Sequence, residues 1–142
     1  MFQGIDISAS GLTAQRLRMD IISGNIANAE TTRTEDGGPY RRKVPVFQEK
    51  LNNQMNGSDS VFGNDSREGV EVRMIREDQS PFRLEYRPSH PDADTDGYLR
   101  LPNVSIMTEM IDMIDASRAY EASVQAISNY KNMAASALDI SR

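Results

Sequence analysis

The residues with the clearest potential for chemistry are three aspartates in the second half of the chain. They are Asp92, Asp94 and Asp96. Together with Gly97 they match the first, third, fifth and sixth positions of an EF-hand calcium loop, where carboxylate oxygens hold the ion. The match then fails, because Asn103 stands where a bidentate carboxylate is needed and Pro91 excludes the entering helix. A calcium-responsive regulatory module using these aspartates is an alternative interpretation, beside the simpler one of an acidic turn before a strand.

The single histidine, His90, is the other side chain suited to catalysis. A hydrolase could use it as the general base of a Ser-His-Asp triad. The sequence has no Gly-x-Ser-x-Gly turn, no phosphate-binding glycine loop and no cysteine. A hydrolase built on His90 is therefore a weaker alternative. We predict a protein that is not an enzyme, binds no cofactor and holds no metal ion.

The charge balance argues against polyanionic partners. Sixteen Lys and Arg residues oppose 21 Asp and Glu residues, a formal net charge of −5, which repels phosphate backbones and anionic lipid. The one basic cluster, Arg41-Arg42-Lys43, is typical of a solvated strand edge or a protein contact. No apolar run is long enough to span a bilayer, and the N-terminus lacks the pattern of a secretory signal. We expect no nucleic-acid partner, no transmembrane segment and no cleaved signal peptide.

Composition divides the 142 residues into three parts. All six prolines lie between residues 31 and 103, and proline inside a helix costs about 3 kcal/mol. The proline-free ends therefore predict one helix within 1–30 and another within 104–142, on either side of a β-rich insert over 31–103. The polar stretch 52–66 predicts a flexible loop in that insert. The predicted fold class is α+β, with long N- and C-terminal helices around a small β-rich insert.

The first predicted helix carries two apolar series on nearly opposite faces. One series repeats every seven residues and consists of Ile5, Leu12, Met19 and Ile26. The other consists of Ile7, Ala14, Leu17 and Ile21. The offset of two residues is about 200° around a helix, so one partner helix cannot cover both series. The pattern predicts at least two sets of neighbours, and with 38% hydrophobic residues the chain is short of apolar side chains to supply them.

The last segment predicts a second long helix, from about residue 105 to 140. Its apolar residues recur at spacings of three and four. They include Ile106, Met110, Met113, Tyr120, Val124, Ile127, Ala134 and Leu138. Asn103 or Ser105 could cap the first turn, and the many small residues permit close helix packing. The methionines could form an adaptable binding face, although methionine at helical spacing is more often core.

Short alternating runs predict strands in the insert. Residues 69–76 and 82–86 alternate apolar and polar side chains, and 77–81 could join them as a hairpin turn. Residues 44–46 and 98–101 are weaker strand candidates.

Two asparagines near the end of the first predicted helix allow two interpretations. Asn25 and Asn28 could end the helix, or they could set the register at a helix–helix interface. The pattern alone leaves both open.

Several strings of residues resemble a known family, the bacterial flagellar rod and hook proteins. The N-terminal strings are Ala9-Ser10-Gly11-Leu12-Thr13-Ala14-Gln15, Met19-Asp20 and Asn25-Ile26-Ala27-Asn28-Ala29-Glu30-Thr31. The later strings resemble proximal-rod members of that family. They are Ser80-Pro81-Phe82-Arg83, His90-Pro91-Asp92-Ala93-Asp94, Asp96-Gly97-Tyr98, Pro102-Asn103-Val104, Glu109-Met110 and Ala116-Ser117-Arg118-Ala119-Tyr120-Glu121-Ala122.

The resemblance implies a structural subunit of the proximal rod. In such a subunit the terminal helices pair as a coiled coil and pack with neighbours into a tubular shaft that transmits torque, while the insert faces outward. The resemblance also implies export through the flagellar type III apparatus without cleavage, a place in the rod within the periplasmic space, and other rod proteins and copies of the chain as partners. It marks Asn25, Asn28, Arg118, Tyr120 and Glu121 as assembly residues. To these we add the apolar stripe residues Ile5, Leu12, Met19, Ile26, Met110, Met113, Val124 and Ile127.

Overall fold

The computed structural model describes residues 2–35, 37–51 and 67–140. Along the chain these form α1 (Phe2–Ala27), β1 (Lys43–Leu51), β2 (Arg67–Glu77), β3 (Arg83–Tyr86), β4 (Tyr98–Leu101) and α2 (Ile106–Ile140). The strands make two antiparallel sheets, β1 with β2 and β3 with β4. The α+β class with two long terminal helices is therefore confirmed. The predicted loop at 52–66 lies outside the described residues, and the division into three segments stays a prediction.

The two helices pack against each other in opposite directions. Contacts join Gly4 to Tyr130, Gly11 to Ser123 and Asn25 to Glu109. The α1 positions rise by sevens or multiples of seven while the α2 positions fall by sevens, which is the register of an antiparallel coiled coil. A Cβ on Gly4 would lie 2.6 Å from the Tyr130 ring, so the absence of a side chain lets the helices approach closely. The predicted helix pair is confirmed. The α1 residues that contact α2, which we call the contact line, each come one position before a residue of the predicted heptad series.

A β-hairpin forms the second partner of α1. Strands β1 and β2 lie along the helix, where Val70 N–H donates to the Ser10 hydroxyl and Lys43 N–H donates to Asn25 at the other end. The helix from residue 10 to 25 rises about 22 Å, close to the length of about 20 Å that six strand residues cover from residue 43 to 49. Within the described chain α1 therefore has two neighbours, α2 and the β1–β2 hairpin.

Gly69 lets the hairpin lie directly on α1. Its φ of +108° is in the region that favours glycine. The register between β1 and β2 shifts beside it, between Glu49 and Leu51. A Cβ at Gly69 would overlap the Ser10 side chain and come within 3.3 Å of the Ile7 Cα. Backbone of the hairpin thus touches the helix at a point where no larger residue fits.

The predicted hairpin between 69–76 and 82–86 is wrong. Strand β2 pairs with β1, and β3 pairs with β4. The intervening segment turns tightly instead, because the Asp78 carboxylate accepts both the backbone N–H and the hydroxyl of Ser80. Asn103 then donates to the carbonyls of both residues at 3.0 and 3.3 Å. This local turn, which Asn103 holds by hydrogen bonds, directs β3 away from β2. Strand periodicity predicts neither the turn nor its contact with Asn103.

The described core is small, and three of its seven buried hydrophobic residues are alanines. Its buried hydrophobic residues are Ala14, Ile22, Ala29, Leu99, Leu101, Val104 and Ala116. Many larger apolar side chains of α2 remain exposed instead, among them Met107, Met110, Ile111, Ile114, Val124, Met133 and Leu138. The helix pair leaves apolar surface that the described part of the chain does not cover.

Candidate functional site

A polar cluster that is fully buried at Asn25 and Glu109 lies where the insert meets both helices. We call it the junction cluster, and its members are Arg18, Asn25, Tyr40, Arg42, Asn103, Glu109 and Asp112. The C-terminal half of α1 contributes the first two residues. The segment before β1 contributes the next two, and the segment leading into α2 with its first turns contributes the rest. The cluster therefore joins all three parts of the described chain at one place.

Glu109 is the fully buried charge at the centre of the cluster. Its side chain is 0% exposed, and an ionised carboxylate at such a site needs partners for both oxygens. Arg42 Nε donates to Oε1 at 2.6 Å, and Asn25 Nδ2 donates to Oε2 at 3.0 Å. One partner comes from the insert and one from α1, so Glu109 is satisfied only when both are docked.

Asp112, one helical turn further along α2, repeats this bridge nearer the surface. Its Oδ2 accepts from Arg42 Nη2 and its Oδ1 from Arg18 Nη2, both at 3.2 Å. Carboxylates three residues apart lie on one face of a helix. The Arg42 guanidinium therefore spans Glu109 and Asp112 at once, and Arg18 holds the second carboxylate from α1.

Asn25 uses both ends of its amide to anchor the start of β1. Its Oδ1 accepts from Lys43 N–H at 2.9 Å and from the Tyr40 hydroxyl at 3.0 Å. Its Nδ2 donates to Lys43 O at 2.9 Å, in addition to Glu109. The residue is 1% exposed. Of the two interpretations left open for this residue, the structure places it at an interface, between α1, α2 and the insert.

Asn28 instead ends the helix. Its Nδ2 donates to Gly24 O at 2.9 Å and its Oδ1 accepts from the Thr31 hydroxyl. The first of these bonds engages a carbonyl in the last turn of α1. The two asparagines thus have different local roles, and an assembly role for Asn28 stays a prediction.

Asn103 connects the cluster to the two sheets rather than capping α2. Its Oδ1 accepts from Arg42 N–H at 2.9 Å, and its Nδ2 holds the turn between β2 and β3. Ser105 takes the helix-capping position, since its carbonyl accepts from Glu109 N–H. Hydrogen bonds from Ser80, with the nearby Arg42 charge, hold the pKa of the Asp78 carboxyl below its usual value.

We expect the Tyr40 hydroxyl to make the fold sensitive to alkali. Burial, with the charges of Glu109 and Glu77, raises the pKa of Tyr40. In the unfolded chain the pKa of a tyrosine hydroxyl is about 10. Because the pKa is higher in the folded chain, the neutral hydroxyl contributes stability below that pH, and this contribution is lost as the pH rises through the folded-state pKa. Urea unfolding between pH 8 and 11 should therefore show a fall in stability that is smaller in Tyr40→Phe. An unchanged alkaline slope in that variant would contradict the assignment.

The other residues predicted as assembly sites do not form one cluster. Those on α1, Ile5, Leu12, Met19 and Ile26, are all half-buried, as are Met113, Tyr120 and Ile127 of α2. Met110, Arg118, Glu121 and Val124 are exposed. Each of these four α1 residues comes one position after a residue that faces α2, which places it about 100° further around the helix. These residues therefore border the helix pair rather than forming its seam.

Sequence reasoning missed Arg18, Arg42, Glu109 and Asp112 as partners in one site. The signals were present but separate: a lone basic cluster, and two carboxylates three residues apart at the start of a helix. Their pairing depends on how the insert folds back onto α2.

Two aspartates of the EF-hand-like segment, Asp92 and Asp94, make structural hydrogen bonds within the chain. Asp92 accepts from Thr32 Oγ1 at 2.9 Å and from Arg33 Nη2 at 2.7 Å, and Asp94 accepts from Thr95 N–H. His90 Nδ1 accepts from Asp92 N–H within the same turn. In residues 2–35, 37–51 and 67–140 no three His, Asp or Glu side chains converge as they would around a metal ion. Nothing in this geometry supports the calcium interpretation.

Comparisons with known proteins place these helices in one class. The family of flagella basal body rod proteins matches residues 5–33, and the C-terminal family of the flagellar basal body rod proteins FlgE, FlgF and FlgG matches residues 95–140. These matches cover most of α1 and all of α2, and so define the class as flagellar rod proteins. No helix in the described residues is long and apolar enough to cross a membrane.

Individual relatives are more specific than the class. The chain is 48% identical to the flagellar basal-body rod protein FlgC of Borreliella burgdorferi, over 99% of this chain and 97% of that relative. It is 44% identical to FlgC of Bacillus subtilis, over 99% and 98%, and 44% identical to FlgC of Aquifex aeolicus, over 94% and 91%. The chain belongs to the FlgC family of flagellar basal-body rod proteins.

Proposed function

We propose that this chain is a structural, non-enzymatic subunit of the flagellar rod that assembles through α1 and α2 into a tubular shaft transmitting torque. The observation that carries the proposal is the similarity to flagellar basal-body rod proteins over 99% of the chain. The apolar surface left bare on α2 supports it, since exposed apolar patches mark interaction sites.

The assembly surface in this proposal is the set of half-buried and exposed residues along the helix pair. On α1 it comprises Ile5, Leu12, Met19, Ile26 and Asn28, and on α2 it comprises Met110, Met113, Arg118, Tyr120, Glu121, Val124 and Ile127. Its partners would be other rod proteins and further copies of this chain. A contact between different faces of like subunits builds a filament when its rotation does not close into a ring.

The junction cluster would give the subunit its stiffness. A shaft that transmits torque must hold its outer part fixed to its inner part. Arg42 and Asn25 fasten the insert and α1 to the same buried carboxylate of Glu109. Fully satisfied buried polar networks rigidify a structure, so this site suits a mechanical link between the helices and the insert.

The same proposal includes the route and place of the protein. We infer export by the flagellar type III apparatus without cleavage of a signal peptide, and residence in the rod within the periplasmic space. The net charge of −5 supports the absence of a nucleic-acid partner. The use of His90 in a turn supports the absence of catalysis.

We expect Val124→Asp to abolish rod assembly while the monomer remains folded. Val124 is 46% exposed, so a charge there is tolerated in the free chain but is costly once buried in an assembly. The variant and its control would each replace the resident copy in flagellated cells. Swimming and the yield of isolated basal bodies measure assembly, and circular dichroism of the purified chain checks that it is folded. Val124→Leu is the matched control.

Two results would contradict different parts of the proposal. Normal basal bodies in the Val124→Asp strain would remove the role of this face of α2. Normal flagella in a strain that lacks the chain would remove the function as a whole.

A further inference from the structure

On the side away from the hairpin, apolar residues of α1 and α2 line the space between the two helices, which we call the groove. Ser10 and Leu17 lie beside Val70 of the hairpin. Each of the two comes one position before an α1 residue on the side that faces α2. Residues one position after the contact line lie on the opposite flank, about 200° away. Those residues are Ile5, Leu12, Met19 and Ile26, and all are half-buried.

The other wall of this groove comes from α2. The residues of α2 that face α1 are Glu109, Ala116 and Ser123. Four positions after each of them, about 40° around the helix, come Met113, Tyr120 and Ile127. Because the helices are antiparallel, these residues and the Ile5 series fall on the same side of the pair. Among the described elements α2 contacts α1 and no strand. The groove is therefore uncovered by any described strand, and its lining repeats every seven residues on both walls, which suits an additional helix.

A matching apolar strip lies on the outer face of α2. Met107, Ile111 and Ile114 are 71%, 55% and 51% exposed. Their spacing of four and then three places them in one row along the helix. This row lies roughly opposite the side of α2 that touches α1. Strip and groove are thus separate faces of the same helix pair, and one copy can use both at once.

Charges beside the two surfaces are complementary. Arg16, which is exposed, stands between Leu12 and Met19 at the edge of the groove. Asp115, also exposed, follows Ile111 by one turn at the edge of the strip. In the described part of the chain neither Arg16 nor Asp115 has an ion-pair partner.

We propose that the outer strip of one copy packs into the groove of a second copy, with Asp115 of the first facing Arg16 of the second. This inference rests on the proposed rod function and names the occupant of its helix surface. The contact joins unlike faces, so it can be repeated from copy to copy and builds an open helical array where its rotation does not close into a ring.

Cysteine cross-linking tests the contact, because the chain has no native cysteine. A tagged Met19→Cys copy and a differently tagged Ile111→Cys copy are expressed together in flagellated cells that lack the resident copy. After treatment with a bismaleimide, we expect a cross-linked product that carries both tags in isolated basal bodies. Leu12→Cys with Ile114→Cys is a second pair, used where the first pair impairs motility.

The controls separate this contact from the alternatives. Cells that carry only one of the two cysteine variants should give no cross-linked dimer. Motile cells with no mixed product from either pair would overturn the inference and leave the rod function standing. A dimer formed from Ile111→Cys alone would also overturn it, since that result indicates packing between two strips.

A charge exchange gives an independent readout. Arg16→Asp should reduce the number of basal bodies, and adding Asp115→Arg in the same chain should restore it. Failure of the double variant to improve on Arg16→Asp, with both chains folded by circular dichroism, would contradict the facing of these two residues. Flagella that form normally without the chain would overturn the rod function itself.

Discussion

Replacing Arg42 by Met is expected to lower the free energy of unfolding by about 3–5 kcal/mol. The substitution leaves the buried Glu109 carboxylate with Asn25 Nδ2 as its remaining described side-chain donor. It also leaves Asp112 with Arg18 alone. An uncompensated buried charge accounts for most of the expected loss, which urea unfolding of the purified chain would measure.

The matched control is Arg33→Met. Arg33 pairs with Asp92 at 2.7 Å, but its side chain is 78% exposed, and exposed ion pairs contribute about 1 kcal/mol or less. The double variant Arg42→Met, Glu109→Gln should recover part of the loss, because the uncompensated charge is then absent. Equal small effects from Arg42→Met and Arg33→Met would show that the junction cluster does not stabilise the fold.

Gly69→Ala is expected to destabilise the chain through two separate causes. A φ of +108° costs a non-glycine residue about 1–3 kcal/mol. The new Cβ would also overlap the Ser10 side chain, and such overpacking costs about 1–3 kcal/mol more. Urea unfolding measures the sum, and hydrogen exchange at Val70 N–H, whose acceptor is the Ser10 hydroxyl, reports whether the hairpin has lifted off α1.

Gly37→Ala separates the two causes. Gly37 has a comparable φ of +82°, but a Cβ there would meet no atom within 4 Å. It should therefore show only the conformational cost. If Gly69→Ala is no more destabilising than Gly37→Ala, and exchange at Val70 is unchanged, the close approach of the hairpin to α1 is not required for stability.

These two sites have different consequences for a rod subunit. The junction cluster fastens the insert to both helices at one end of the hairpin, near Lys43. Gly69 fastens the hairpin to α1 about 20 Å away, at its other described end. Two attachment points at that separation resist rotation of the hairpin about the helix, which one point alone would permit. Weakening either site is therefore expected to loosen the insert before it separates the helices.

Local sequence patterns predicted the elements better than their pairing. The proline-free ends and the three-and-four spacing marked both helices, since helix formation depends on residues a few positions apart. The alternation at 69–76 marked β2 but gave the wrong partner. Its true partner β1 was a weaker candidate because Pro45 and the mixed polar residues after Phe47 obscure its alternation. Pairing depends on the turn at Asp78 and on Asn103, which lies 25 residues away in sequence.

The candidate site divides in the same way. Asn25 was singled out from its place near the end of a helix, and the structure puts it at the centre of the cluster. The burial of Glu109 could not be inferred, because a glutamate in the first turn of a helix is equally compatible with solvent. Its partner Arg42 belongs to a basic run that usually indicates a solvated edge.

The sequence by itself determined the two long helices, the β-rich insert between them and, through specific strings of residues, the rod-protein family. These properties depend on local spacing and residue type, which the linear order preserves. Only the tertiary structure decided that α1 lies between α2 and a hairpin, that the helix seam is formed by small and polar residues, and that Arg42 reaches Glu109. Those outcomes depend on which distant segments share one volume, and the free energy of burying a charge is set by all of its neighbours at once.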